Sequence, residues 1–224
     1  MWSGQVPGYE VVGRCTPARR AVGNYFDWHL VDGRLQLQVA AVVGAGASAP
    51  TIAACVRILL RVISQDSDHQ RATDRAAAGI RALLGNAGAF VTAFAATLDP
   101  ATGTLTYVLA GHGMAVVLGV DGSHRRLASS GPSLGLSSAY GTGWQVRTTT
   151  VVPGQTLLVL SDGFLELDSD PEAQELVDQA LEQVAARYRG GIDAHQAVEL
   201  ATAWAVTQDH PIDITVLALH RTLV

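Results

Sequence analysis

The segment LVLSDGFLELDSD places Ser161, Asp162 and Gly163 directly after an apolar run. A carboxylate at the lip of a sheet is placed to ligate a hard cation. An Asp-Gly pair can also simply turn the chain at a strand end, and spacing alone favours the turn. His112 in AGHG (110–113) reads as a general acid or phosphate contact, or more plainly as a ring whose nitrogens serve nearby backbone. GNYFD (23–27) sets Asn24 and Asp27 around two aromatic residues, either as ligands or as an Asx turn beside core rings. In PIDITVLAL (211–219), Asp213 enters an apolar run, where a carboxylate needs a partner, a cation or solvent. VAAVVGAGASAP (39–50) runs through Gly44-Ala45-Gly46 into a helix start, the shape of a phosphate cradle. It lacks the third glycine of the dinucleotide fingerprint and the lysine of a P-loop. No Gly-x-Ser-x-Gly elbow, metalloprotease helix or paired Cys-His ligand set occurs.

The elements that position these residues follow from turns and periodicity. Asp32-Gly33, DPATG (99–103) and Asp121-Gly122 each join runs of strand character, and such short loops demand antiparallel neighbours. In RLQLQV, Leu35, Leu37 and Val39 alternate with Arg34, Gln36 and Gln38, which predicts one buried and one wetter face. Further strands are expected at YEVVGR, WQVRTTTV, QTLLVLS and DITVLALH. Helical spacing runs from Ser48 through Ile52, Val56, Leu59, Leu60 and Ile63, then through Ala72, Ala76, Ile80, Leu83 and Leu84 to Gly85. Asp170-Pro171-Glu172 opens a third helix that Gly190-Gly191 stops, and Asp193 with Gln196 resembles a capping box for a last one carrying Val198, Ala201 and Trp204. The pattern is α+β: antiparallel sheets with helices outside.

Composition bounds the function. A chain of 224 residues with 48% apolar residues can bury one sizeable core, so a single domain over 1–224 is expected. A net charge of -5 sets no basic footprint, which argues against a nucleic-acid partner. Cys15 and Cys55 have no CxxC spacing, so both read as core filler in a reducing cytoplasm. The N-terminal MWSGQVPGYE has neither a cationic start nor an apolar core of a secretory signal. The uncharged stretch 39–56 approaches a membrane span in length, but its glycines, proline and alanines read as strand, turn and helix, so no membrane partner is expected.

Taken in order, these blocks resemble the metal-dependent PPM protein phosphatases in their bacterial SpoIIE-like sporulation and stress-response branch. The resemblance runs from Pro17-Ala18 and VGNYFD through VDGRLQLQVAAVVGAG, FVTAFAATLDPATGTLTYVLAGHG, SGPSLGL and PGQTLLVLSDGFLEL to DITVLAL. It implies a four-layer α-β-β-α sandwich of two antiparallel sheets flanked by helices. It also implies two divalent cations, manganese or magnesium, held between the sheets chiefly by aspartates. A metal-bridged water then attacks the phosphorus of a phosphoserine or phosphothreonine.

Carried over position by position, the family's Gly-Gly-Asp acid falls on Asn24, and the acid opening its Asp-x-x-Gly-x-Gly turn falls on Ala41. The acid of Thr-Asp-Gly survives as Asp162, with Ser161 replacing threonine. The first acid of Asp-Asp-Ile-Thr falls on Ile212 and only the second survives, as Asp213, which strand alternation turns away from whatever position 212 faces. The residual cleft is Asn24, Ala41, Asp162, Ile212 and Asp213, with Gly44, Gly46, His112 and Gly163 as candidate anion contacts.

One retained carboxylate cannot offset four positive charges in a partly dry cleft, so the expectation is a pseudophosphatase that needs no cofactor. One alternative is an active phosphatase with a reorganised one-metal site of Asp162, Asn24 and Asp213, using manganese or magnesium. The other is a phosphate or small-anion binder in the vacated cleft. The resemblance implies a protein partner of the STAS anti-anti-sigma or anti-sigma kinase class; homo-oligomerisation stays open.

Overall fold

Short turns dictate the strand neighbours. In the computed structural model, which describes residues 1–16, 23–85, 88–112, 114–136, 143–161, 182–206 and 213–223, Pro7-Gly8 joins β1 (Trp2–Val6) to β2 (Tyr9–Thr16). Asp32-Gly33 joins β3 (Asn24–Val31) to β4 (Arg34–Val43), with φ of 49° and 76°, the left-handed pair whose twist matches the flanking strands. The 99–103 turn joins β5 (Phe90–Asp99) to β6 (Thr104–Ala110), and Asp121-Gly122 lies between β7 (Met114–Leu118) and β8 (His124–Arg126). β9 (Arg147–Thr150), β10 (Thr156–Leu160) and β11 (Ile214–Arg221) complete the strands. All three expected turns are present; the first hairpin is an addition, because the mostly exposed WSGQV carries no hydrophobic period to announce it.

The chain groups into two compact units. The first, Met1–Arg20, Gly113–Leu127 and Val151–Val224, holds an antiparallel sheet in the order β1-β2-β11-β10-β7-β8. One face of that sheet, with Val12, Val116, Leu158, Leu160, Val216 and Ala218, packs on the helical residues 182–188 (α3) and on α4 (Ala194–Val206) through Tyr188, Ala197, Val198 and Ala201. Each fully buried valine or leucine there contributes about 1.5–3 kcal/mol. The capping box is real: Gln196 N–H donates to Asp193 Oδ1 at 2.8 Å and Asp193 N–H to Gln196 Oε1 at 3.2 Å. Glu10 on β2 reaches the same helix end, where its Oε2 accepts from Ala194 N–H at 3.0 Å. The expected start of the third helix at Asp170-Pro171-Glu172 lies outside the described residues, and so does the side chain of Trp204.

The second unit, Ala21–His112 and Ala128–Thr150, holds a sheet in the order β3-β4-β5-β6-β9. On one face lie α1 (Ala49–Ile63), entered through a 3-10 turn (Gly46–Ser48), and α2 (His69–Leu84). Val56, Leu60 and Ile63 of α1 and Ala76, Ile80 and Leu84 of α2 recur at helical spacing and pack on Ala40, Val42, Val91, Ala93 and Ala110. The uncharged stretch 39–56 is therefore strand, turn and helix. By length and composition alone, Gly46–Ile63 is apolar enough to cross a bilayer. Between the helices, Asp66 accepts both guanidinium bonds of Arg71 at 2.8 and 2.6 Å, which together with the Asp68 N–H holds its carboxyl down at about 2. Asp68 then caps α2 by accepting from Arg71 N–H.

Two sequence expectations need correction. Gln36 and Gln38 are not on a wetter face: they are 4% and 2% exposed, because α1 and α2 roof the side that alternation assigned to water. Cys15 and Cys55 are exposed rather than core filler, Cys55 on the outward side of α1.

One buried ion pair ties α1 to β3. Asp27, 5% exposed, accepts from Arg57 at 3.0 Å and lies 3.4 Å from Arg61 Nε, and its hydrogen bond raises the Arg57 pKa further. Removing both arginines strands a buried carboxylate. Arg57→Ala with Arg61→Ala should lower unfolding stability by about 3 kcal/mol in urea titrations. The same pair of changes in an Asp27→Asn background should cost much less, since no charge is then left unpaired.

In the first unit, Thr156 bonds both Tyr188 Oη and His220 Nδ1, the latter at 2.9 Å. Burial lowers the His220 pKa from 6.5 against the opposing charges of Glu10 and Asp193, and burial likewise lowers His29 and His69. The unfolded chain therefore binds more protons than the folded one as pH falls past about 6.5. Thermal midpoints should hold between pH 8 and 7 and fall from pH 6.5 downward, with a shallower fall for His220→Gln.

Candidate functional site

The β3-β4-β5 register puts Asn24 opposite Ala41, and Ala41 opposite Thr92. Because Ala40, Val42, Val91 and Ala93 point into the helix-packed core, strand alternation sets Asn24, Ala41 and Thr92 on the opposite face. His112 extends this row: it is 4% exposed, with Nδ1 3.2 Å from Thr92 Oγ1. That contact pairs Nδ1 with a side-chain hydroxyl. The corner before it is tight, since Gly111 has φ +57° and a Cβ there would stand 2.1 Å from Ser133 Oγ and 2.7 Å from Ser133 N. Only glycine fits this approach. The row thus offers a carboxamide, a methyl, a hydroxyl and an imidazole, and no carboxylate. Asp27, weighed with Asn24 as a ligand, instead lies on the helix side and is taken by Arg57 and Arg61.

In the first unit, Ser161 follows β10 and is fully buried. Its Oγ accepts from Thr215 N–H at 2.9 Å while its own N–H donates to the Thr215 carbonyl at 2.9 Å, so the hydroxyl stitches β10 to β11. Asp213 is 6% exposed and precedes Ile214, which points into the α4 core. Alternation therefore sets Asp213 with Thr215 on the face away from α4. Cys15 confirms that side: its thiol pKa is raised first by desolvation and then, against the Thr215 hydroxyl, by the charge of Asp213. Each unit thus carries its candidate residues on the sheet face opposite its own helices. Asp162, Gly163 and Ile212 lie outside the described residues.

The glycine turn before α1 has a packing cause. Gly44 has φ +83°, and a Cβ there would stand 3.2 Å from the Gly88 carbonyl. Gly23, φ +81°, faces the first residue of α1 so closely that a Cβ would lie 2.6 Å from the Ala49 carbonyl. At Gly46, with φ +56°, a side chain would meet nothing. No charged residue stands in the turn itself, and Ser48 makes no side-chain cap to α1.

The divalent pair that the fold family implies is not matched by the second unit's share of such a site. Asn24 offers one neutral oxygen and Ala41 none. Sequence reasoning gave Gln38 to the wetter face; its burial shows only once the helices are in place.

Comparison with known proteins gives a family from a profile and a fold from solved structures. The family profile described as Stage II sporulation protein E (SpoIIE) matches residues 31–222. Protein IcfG of Synechocystis sp. is 24% identical over 181 residues, taking in 68% of this chain and 28% of that protein. The solved structure of the RsbU and RsbW domains of Rv1364c from Mycobacterium tuberculosis superposes with a TM-score of 0.74 at 24% identity, over 96% of this chain and 62% of that one. The PP2C phosphatase domain of the cell-fate determinant SpoIIE from Bacillus subtilis gives 0.70 at 16% identity, over 96% and 62%. The chain has the α+β fold of these PP2C-type domains, and it spans less than two thirds of each of these relatives.

Proposed function

The chain belongs to the SpoIIE family, and from that premise we propose that it is a pseudophosphatase: a phosphatase-fold regulatory or binding domain in a sigma-factor partner-switching pathway, without metal-dependent turnover. The observation that carries this reading is the cross-strand pair of Asn24 and Ala41, where relatives are expected to place metal-bridging acids. With Ile212 in the fourth acid position, only Asp162 and Asp213 remain to face cations. Two divalent ions bring four positive charges, and desolvating each ion costs several kcal/mol that two carboxylates do not repay. The neutral replacements agree with one another, since they also spare an empty site the mutual repulsion of clustered acids.

The partner we propose is a STAS-type anti-anti-sigma protein or an anti-sigma kinase, met in the cytoplasm. The Rv1364c structure, which joins an RsbU to an RsbW domain, supports a pathway of that kind. Turnover, were it present, would be hydrolysis of a phosphoserine or phosphothreonine, the chemistry of the PP2C relatives.

A second reading has one observation in its favour. Asp213 stands on the sheet face away from α4, so it is not turned into the helix-packed core. The alternative takes one cation at a reorganised site that includes Asp162, since magnesium tolerates several waters.

Purified protein with manganese and p-nitrophenyl phosphate should show no hydrolysis above buffer, and calorimetric titration with Mn²⁺ or Mg²⁺ to millimolar concentration should give no binding heat. Manganese-dependent hydrolysis that Asp162→Ala abolishes would establish the second reading instead.

A further inference from the structure

On the helix side of the second unit's sheet, the face opposite Asn24 and Ala41, lies a cavity of about 80 Å³. That is several times what one water needs. Small side chains create it: Ala93, Ala95 and Ala110 on the sheet face Ala72 and Ala76 on α2. α1 and α2 therefore arch over the strands instead of closing on them between the end of one helix and the first turns of the other.

Most polar groups in its wall are already used within the chain. Thr97 Oγ1 donates to Gln36 Oε1 at 2.7 Å, Thr73 Oγ1 to the His69 carbonyl at 2.7 Å, and Ser64 Oγ to the Arg61 carbonyl at 2.9 Å. Gln38 is the exception. It is 2% exposed, it lines the cavity directly across from Ala95 in the β4-β5 register, and its Oε1 has no hydrogen-bond partner among the described residues. A buried amide oxygen left unpaired is unfavourable, and a bound donor relieves that cost. Among the described residues, no Asp, Glu, Lys or Arg lines the cavity. The one titratable imidazole in the wall, His69, has its pKa lowered by burial and then by Arg34, which keeps it uncharged at neutral pH.

We propose that this cavity is a binding site for a neutral small molecule: an apolar ring or short chain carrying one hydroxyl or N–H that donates to Gln38 Oε1. The apolar body fills the space the alanines leave, and the single donor fixes its orientation, the division of labour usual in small-ligand sites. A charged ligand is disfavoured, because nothing in the wall would offset its desolvation. The site draws on none of the residues of the phosphatase cleft, so it stands whether or not the chain turns over phosphoester.

The test uses 4-fluorophenol as probe on the full chain, followed by fluorine NMR of the probe and by backbone amide shifts of the protein. Saturable binding is expected, with shifts confined to residues around Gln38, Ala95 and Thr73. Fluorobenzene, which has no donor, and Gln38→Leu should each weaken binding about three- to tenfold, the worth of one hydrogen bond. Ala95→Leu, at a half-buried position opposite Gln38, should fill the cavity and abolish binding while the amide spectrum stays that of the folded protein. The proposal is overturned if 4-fluorophenol does not saturate, if its shifts map elsewhere, or if fluorobenzene or 4-fluorobenzoate binds as tightly. Because the probe titration and the comparison of probes use the unaltered chain, the outcome does not hang on either variant folding.

Discussion

The register of β3 against β4 is the constraint on which the second unit depends. The left-handed pair Asp32-Gly33 closes that hairpin in two residues, and the pairing then runs without a slip from Val31 opposite Arg34 to Asn24 opposite Ala41. A shift of one residue would turn every β4 side chain to the other face. It would send Leu35, Leu37 and Val39 to the helices and bring Gln36 and Gln38 to the face of the candidate site. Both faces of β4 are buried from Leu35 to Val42, so neither set has solvent to escape to. The same two-residue turn that makes the hairpin therefore settles which residues can contribute chemistry.

What the register delivers to the two faces differs in charge. The helix side receives Asp27, which meets Arg57 and Arg61 and holds α1 to the sheet. The other side receives a carboxamide, a methyl and a hydroxyl. The acid that this part of the chain does spend thus serves cohesion and not cation binding. Neutral groups on a buried face cost far less to desolvate than ionised acids, which would need ions or hydrogen-bond partners there. None of the sheets, turns and caps depends on a carboxylate at position 24 or 41.

Much of this was legible in the sequence because it rests on local chemistry. Asp32-Gly33, the 99–103 turn and Asp121-Gly122 need only their own residues to form, and the reciprocal bonds of Asp193 and Gln196 span a single helical turn. The α1 and α2 stripes are also local, repeating every three or four residues. Features that depend on partners distant in sequence were not legible. Gln36 and Gln38 alternate as a wet face should, and only the helices above them make them buried. Asp27 looks like a free ligand until Arg57, thirty residues on, closes over it. Cys55 looks like a core residue by type, and its exposure follows from which side of α1 is packed. Asp213 shows the same limit from the other direction: alternation from Ile214 gives its face, but that count can start only once the strand's own beginning is fixed.

The central claim is that neutral residues at the acid positions leave no divalent-metal centre. It is tested most directly by anomalous diffraction from crystals soaked in manganese. The account predicts no anomalous peak bonded to Asp162 or Asp213; a peak coordinated by either carboxylate would contradict it.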